Sequence, residues 1–215
     1  MNTMEKDRIN KERGFWSGFA GKYDGFMKRL GGAYSEMYSV LLKELDRDFN
    51  VCEIACGTGL VSMEIAPLVK KLSASDISPE MIKIAEEKAR AAGITNADFR
   101  VMDAYGLDYP DGAFDAAVAC NVLHLLFEPS RVLSELGRVL KKGGMLIAPT
   151  FCHGEGIRSR LVSRIMGLAG FEARTRWSLK GLEKFIEDSG FEVREKRVIK
   201  ETIPLLYITA VSRGN

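Results

Sequence analysis

The chain has 215 residues, 46% apolar and 28% charged, with a net charge of +2. That length supports one large core without a seam for a second ordinary domain, and the composition reads as globular rather than disordered, collagenous or repetitive. The small net charge gives no strong phosphate-binding footprint and argues against a nucleic-acid partner, although residues 151–215 hold 12 Lys/Arg against 8 Asp/Glu.

The N-terminal stretch MNTMEKDRINKERGFW is charged from its fifth residue and lacks an apolar h-region or a small-residue cleavage site. No apolar run approaches the roughly 20 residues of a membrane-spanning helix, so a cytoplasmic location is expected. Next comes FWSGFAGKYDGFMKRLGGAY, rich in aromatics and glycines, in which Trp16, Phe19, Tyr23 and Phe26 are expected to staple an amphipathic helix to the core. Short β-branched or apolar runs then alternate with helical patterns, the signature of a parallel α/β sheet. The spacing predicts strands near 49–55, 71–75, 97–102, 113–120 and 144–150, with helices near 59–69, 78–92 and 129–141. Ser78 is a suitable cap for the second of these helices, Pro79 suits its first position, and Glu80 favours the positive end of its dipole. Residues 178–189 predict a further helix stopped by Gly190, and FEVREKRVI with ETIPLLYITAVS predicts an antiparallel hairpin. Cys52, Cys56, Cys120 and Cys152 lack metal-ligand spacing, so reduced thiols and no metal are expected.

Chemistry concentrates in Glu53-Ile54-Ala55-Cys56-Gly57-Thr58-Gly59, a strand that enters a glycine turn and then a helix. Gly57 and Gly59 let the backbone turn tightly and approach a ligand that a Cβ would obstruct. Glu53 stands just before the turn, where a dinucleotide places its pyrophosphate; a carboxylate there repels that anion and welcomes an ammonium group. Asp76, 17 residues beyond Gly59, stands where a carboxylate can accept hydrogen bonds from both hydroxyls of a ribose.

In order and spacing these motifs resemble the class I S-adenosylmethionine-dependent methyltransferase superfamily, closest to its small-molecule, UbiE-like branch, over residues 35–212. The resemblance implies an α/β, Rossmann-like three-layer sandwich whose mostly parallel seven-stranded sheet ends in a C-terminal antiparallel hairpin. It also implies S-adenosylmethionine as methyl donor and S-adenosylhomocysteine as product. In the family's acid-x-Gly-x-Gly-x-Gly pattern Glu53, Gly57 and Gly59 match, Cys56 and Thr58 fill the variable places, and Ala55 replaces the first glycine. Asp76 corresponds to the second-strand acid, with Ile77 and Met81 flanking the adenine. Asp103, after the strand FRVM, is similar to the adenine-contacting acid, and Ala104 offers its backbone amide. FDAAVACNVLHLL resembles the fourth strand and its loop, where Cys120, Asn121 and Val122 would line the methionine side of the donor. RVLKKGGMLIAPT resembles the fifth-strand turn, with Lys142 in place of a proline. Related families use the N-terminal segment as a mobile lid, which assigns residues 1–34 to a helical lid, with Tyr23 as a donor contact. Residues 35–215 are then the donor-binding domain, with an acceptor-pocket insertion near 151–177.

Methyl transfer is a displacement in which alignment and exclusion of water matter most, and a thiol, phenol or protonated amine must also lose a proton. His124 and His153 follow the fourth and fifth strands at the carboxyl edge, making them the candidate bases. In the insertion, Ile157, Leu161, Ile165 and Leu168 form one helical stripe with Arg158 and Arg164 to the other side; Arg160, Arg174 and Arg176 add charge. A lid helix with a solvated polar face is expected, or a peripheral contact with an anionic acceptor or lipid headgroups through residues 157–168. A small-molecule acceptor leads. The alternatives are a phospholipid or other membrane lipid, and a non-catalytic donor-binding subunit. Ala119-Cys120-Asn121-Val122 lacks the Asn/Asp-Pro-Pro-aromatic motif of nucleic-acid amino-methylating families.

Overall fold

The computed structural model describes residues 3–29, 32–168 and 173–214. The alternating runs of the sequence pair into one sheet. Its parallel part consists of β1 (Asn50–Ile54), β2 (Lys71–Asp76), β3 (Ala97–Val101), β4 (Phe114–Val118) and β5 (Leu140–Ile147), lying side by side in the order β3-β2-β1-β4-β5. The sequence-predicted hairpin forms from β7 (Phe191–Ile199) and β8 (Leu205–Ser212). Along its other edge β8 runs antiparallel to β5, pairing Leu146 with Ala210.

One strand expected over 144–150 is divided. Pro149 has no N–H to give the ladder, so pairing resumes beyond it as the two-residue strand β6 (Thr150–Phe151) against Leu205 and Leu206. Among the described residues the sheet therefore has eight strands where seven were expected.

The period-two alternation of each strand feeds two apolar layers. Cys52, Ile54, Ala117 and Leu146 face one layer, covered by α5 (Pro129–Val139) and α7 (Leu179–Asp188) through Leu133, Leu136, Leu182 and Ile186. Val51, Ala116, Val118 and Ile147 face the other. It is covered by α2 (Gly32–Leu41), α3 (Leu60–Ile65) and α4 (Pro79–Ala91) through Met37, Leu41, Ile65 and Ala85. Ser78 caps α4 by accepting from the Met81 amide at 3.2 Å, and Ser178 caps α7 from the Gly181 amide at 3.1 Å. Two helices lie outside these layers: α1 (Thr3–Arg29) and α6 (Gly156–Leu168).

Candidate functional site

β1 leaves the sheet through three consecutive alternate residues in left-handed conformation: Ala55 at φ 49, Gly57 at φ 56 and Gly59 at φ 78. The turn is fastened to the end of β2. Cys56 donates its amide to the Ser75 carbonyl at 2.9 Å, and Gly57 donates to Asp76 Oδ2 at 2.9 Å. Asp76 Oδ1 accepts from the Ser78 amide at 2.9 Å, so a single carboxylate joins the turn to the start of α4. Burial raises the Asp76 pKa, and these backbone donors work against that rise.

Glu53 is 1% exposed beneath the turn and accepts from the Ser62 hydroxyl at 2.6 Å. Burial pushes its carboxyl up to about 8, with the Ser62 hydrogen bond opposing. It does not line either cavity described below, and neither do Cys56, Thr58 and Gly59. Thr58 donates to Asp24 of α1, and Gly59 packs where a Cβ would stand 3.0 Å from the Ala85 methyl. These four residues shape the turn from behind.

In front of the turn lies a cavity of about 270 Å³. It gathers eleven residues expected from the sequence: Tyr23, Ala55, Gly57, Asp76, Ile77, Met81, Asp103, Ala104, Cys120, Asn121 and Val122. Sequence reasoning did not place Lys11, Glu12, Trp16, Met102 and Arg174 here, and they stand among its other wall residues. Asp103 is ion-paired with Arg8, which also bonds Glu12 at 2.8 Å and lies 4.0 Å over the Tyr105 ring. The Arg8–Glu12 spacing of four on a helix was the one local signal that could have found that pair.

Helix α1 roofs this cavity and is tied down by polar latches. Ser17 bonds Ser78 between hydroxyls at 3.0 Å, Arg13 Nε donates to the Ile77 carbonyl at 3.2 Å, and Asp24 pairs with Lys88 of α4. Trp16, Tyr23 and Phe26, expected as staples, all line cavity walls. The Tyr23 ring lies 3.5 Å from where a Cβ on Gly57 would stand.

A second cavity of about 140 Å³ adjoins the first and shares Trp16, Tyr23, Asn121 and Leu125 with it. His124 and His153 line it, 6% and 4% exposed, with ring centroids 4.8 Å apart. Burial, reinforced by His153, lowers the His124 pKa to about 3; burial, reinforced by Arg176, lowers that of His153 to about 4. Both imidazoles are therefore neutral at pH 7, and neither titrates near neutrality as the sequence reading supposed. The Nδ1 atoms of both rings and Oδ1 of Asn121 are buried with no hydrogen-bond partner among the described residues. Asn121 is left-handed at φ 53, held by its amide to the Pro149 carbonyl at 2.8 Å and by Nδ2 to the Tyr34 hydroxyl at 2.9 Å.

The helix of the insertion, α6, turns its apolar stripe opposite to what a lid with a solvated polar face requires. Ser159 and Ser163 are buried, and Ile157, Leu161 and Ile165 point to solvent; the side chain of Leu168 lies outside the described part. Periodicity placed these residues on one face correctly, but it is the serine face that turns inward, where Ser159 donates to the Cys152 carbonyl.

The family described as a methyltransferase domain matches residues 52–148. Phosphatidylethanolamine N-methyltransferase of Cereibacter sphaeroides is 35% identical over 153 residues, 70% of this chain and 73% of that protein. Demethylmenaquinone methyltransferase of Thermus thermophilus is 38% identical over 104 residues, 47% of this chain and 46% of that protein. This chain thus spans most of the first relative and under half of the second. A solved S-adenosylmethionine-dependent methyltransferase from Methanosarcina mazei superposes with a TM-score of 0.66 at 25% identity, covering 82% of this chain and 98% of that one.

Two predictions follow from the turn. An alanine in left-handed conformation costs about 1 kcal/mol, so Ala55→Gly is expected to leave stability unchanged or raise it by up to that amount. Gly59→Ala, strained in φ and crowded by Ala85, should lower stability by about 1–3 kcal/mol in urea unfolding. Glu53 gives a pH signature. Its folded pKa of about 8 lies above the unfolded value of 4.5, so the folded state holds the extra proton between those values. Its contribution to stability therefore falls as pH rises through that window. Urea midpoints of Glu53→Gln should gain on those of the parent chain from pH 5 to 8; a constant difference contradicts the assignment.

Proposed function

This chain belongs to the class I S-adenosylmethionine-dependent methyltransferases, and from that membership we propose that it methylates a small molecule held in the aromatic cavity beside the donor site. The observation that carries the reading is the meeting of two cavities at Tyr23 and Asn121, with three buried polar atoms on the walls of the second that have no partner among the described residues.

S-adenosylmethionine, when bound, supplies a methyl group on a sulfonium that needs no acid to leave. The residues of the larger cavity fit such a donor. Asp76 spends one acceptor site per oxygen on backbone amides and keeps capacity for two hydroxyls. Ile77, Met81, Met102 and Val122 offer apolar surface to a flat base, with Asp103 and the Ala104 amide at its edge. Cys120, Asn121 and the Tyr23 ring take the methionine side, where an aromatic face suits a cationic centre. The turn residues Glu53, Cys56, Thr58 and Gly59 act indirectly, by holding the backbone of Ala55 and Gly57 in place.

On the acceptor side, Trp16, Phe26, Tyr34 and Phe151 exclude water, and helix α1 acts as the lid. His124 and His153 present neutral rings whose Nδ1 atoms hold a polar hydrogen of the acceptor and align its lone pair. Groups with pKa values of about 3 and 4 orient a proton rather than remove it at pH 7. The acceptor atom must bring both a hydrogen for Nδ1 and a nucleophilic lone pair, which suits a neutral amine better than an alcohol. A phospholipid amine is the second reading, supported by the 35% identical relative named for phosphatidylethanolamine.

The test is transfer of label from methyl-labelled S-adenosylmethionine into a fractionated cell extract. Label in water-soluble small molecules supports the first reading and label in lipid the second; no label despite measurable donor binding contradicts both. With the acceptor in hand, kcat should show no histidine ionisation between pH 6 and 8, and His153→Ala should lower kcat/KM at least about tenfold with donor affinity unchanged.

A further inference from the structure

Helix α6 carries three large apolar residues on the wrong side for a helix that only packs on the fold. Ile157, Leu161 and Ile165, spaced four apart along one face, are 86%, 59% and 58% exposed, while Ser159 and Ser163 face inward. The orientation is fastened at the first turn: Ser159 donates to the Cys152 carbonyl at 3.1 Å, and Arg160 Nε donates to the Gly154 carbonyl at 3.0 Å. Large aliphatic side chains lined up in solvent mark a surface meant for contact. Arg158, Arg160 and Arg164 are exposed around the stripe, and the helix sequence GIRSRLVSRIMGL contains no acid.

We propose that α6 is an interfacial docking element that lays its Ile157-Leu161-Ile165 stripe into the headgroup region of an anionic lipid bilayer. Charge decides between occupants. A second copy of the same face would set three arginines against three, in a contact that offers them no counter-charge. An anionic lipid surface pairs with all three while the aliphatic stripe enters the acyl boundary, the arrangement of helices that lie on a membrane. Among the described residues no helix is long and apolar enough to cross a membrane, so the contact is peripheral. Its position is functional as well. α6 starts just after His153, and Ala173 beyond its far end also lines the histidine cavity, so docking brings that cavity to the lipid surface. The surface is assigned from the stripe and its arginines and does not depend on which acceptor is methylated.

The full chain is sedimented with vesicles of phosphatidylcholine alone and of phosphatidylcholine containing phosphatidylglycerol. Binding is expected only to the anionic vesicles, and it should weaken as salt is raised. Arg158→Gln with Arg164→Gln should weaken it on the order of thirtyfold. The triple variant Ile157→Ser, Leu161→Ser, Ile165→Ser should abolish it while leaving S-adenosylmethionine affinity, measured by calorimetry, unchanged. No binding to anionic vesicles, binding indifferent to the triple variant, or a stripe that instead controls dimerisation each overturns the proposal. Because neither methyl transfer nor an acceptor enters the assay, its failure is separate from failure of the functional reading.

Discussion

The carboxylate of Asp76 is the joint on which the site is assembled. By accepting from the Gly57 and Ser78 amides it fixes the exit of β1 relative to the start of α4. The turn it holds contains three left-handed residues, one of them an alanine, and such backbone persists only where its surroundings over-determine it. The larger cavity lies in front of this turn, with the Tyr23 ring above Gly57.

Helix α1 is attached by a different kind of interaction. Gly14, Gly18, Gly21 and Gly25 each lower its intrinsic stability by about 1 kcal/mol relative to alanine, and a Cβ at any of them would meet open space. The helix is held by half-buried latches: Arg8 to Asp103, Ser17 to Ser78, Asp24 to Thr58 and Lys88. Polar contacts of this sort are individually weak, which fits the lid role proposed for this helix. The Arg8–Asp103 pair engages a carboxylate that also lines the larger cavity, so one ion pair links this helix to the cavity wall.

Much of this was legible in the sequence because the signals are local. The glycine turn, the acid ending the second strand and the Ser78 cap each declare themselves within a few residues, and their relative order gave the sheet and eleven of the residues that line the larger cavity. What was not legible depends on long-range placement. Arg8 reaches Asp103 across the fold, and no spacing rule links them. The histidines could be placed at the carboxyl edge, but their neutrality follows from burial against each other and Arg176. For α6 the heptad-like spacing named the residues that share a face and left open which way that face turns, because direction is set by what the serines meet inside. Pro149 was visible, yet its effect as a break between β5 and β6 needed the partner strand β8 to be known.

The most direct measurement is the affinity of S-adenosylmethionine for Asp76→Asn compared with the parent chain, by calorimetry near pH 7, with urea unfolding of both. An amide keeps one acceptor oxygen but loses the charge and the second, so the account predicts a loss of at least about tenfold in affinity in a protein that still folds cooperatively. Unchanged affinity in a folded Asp76→Asn protein would contradict it, and would place the donor away from the joint between β1 and β2.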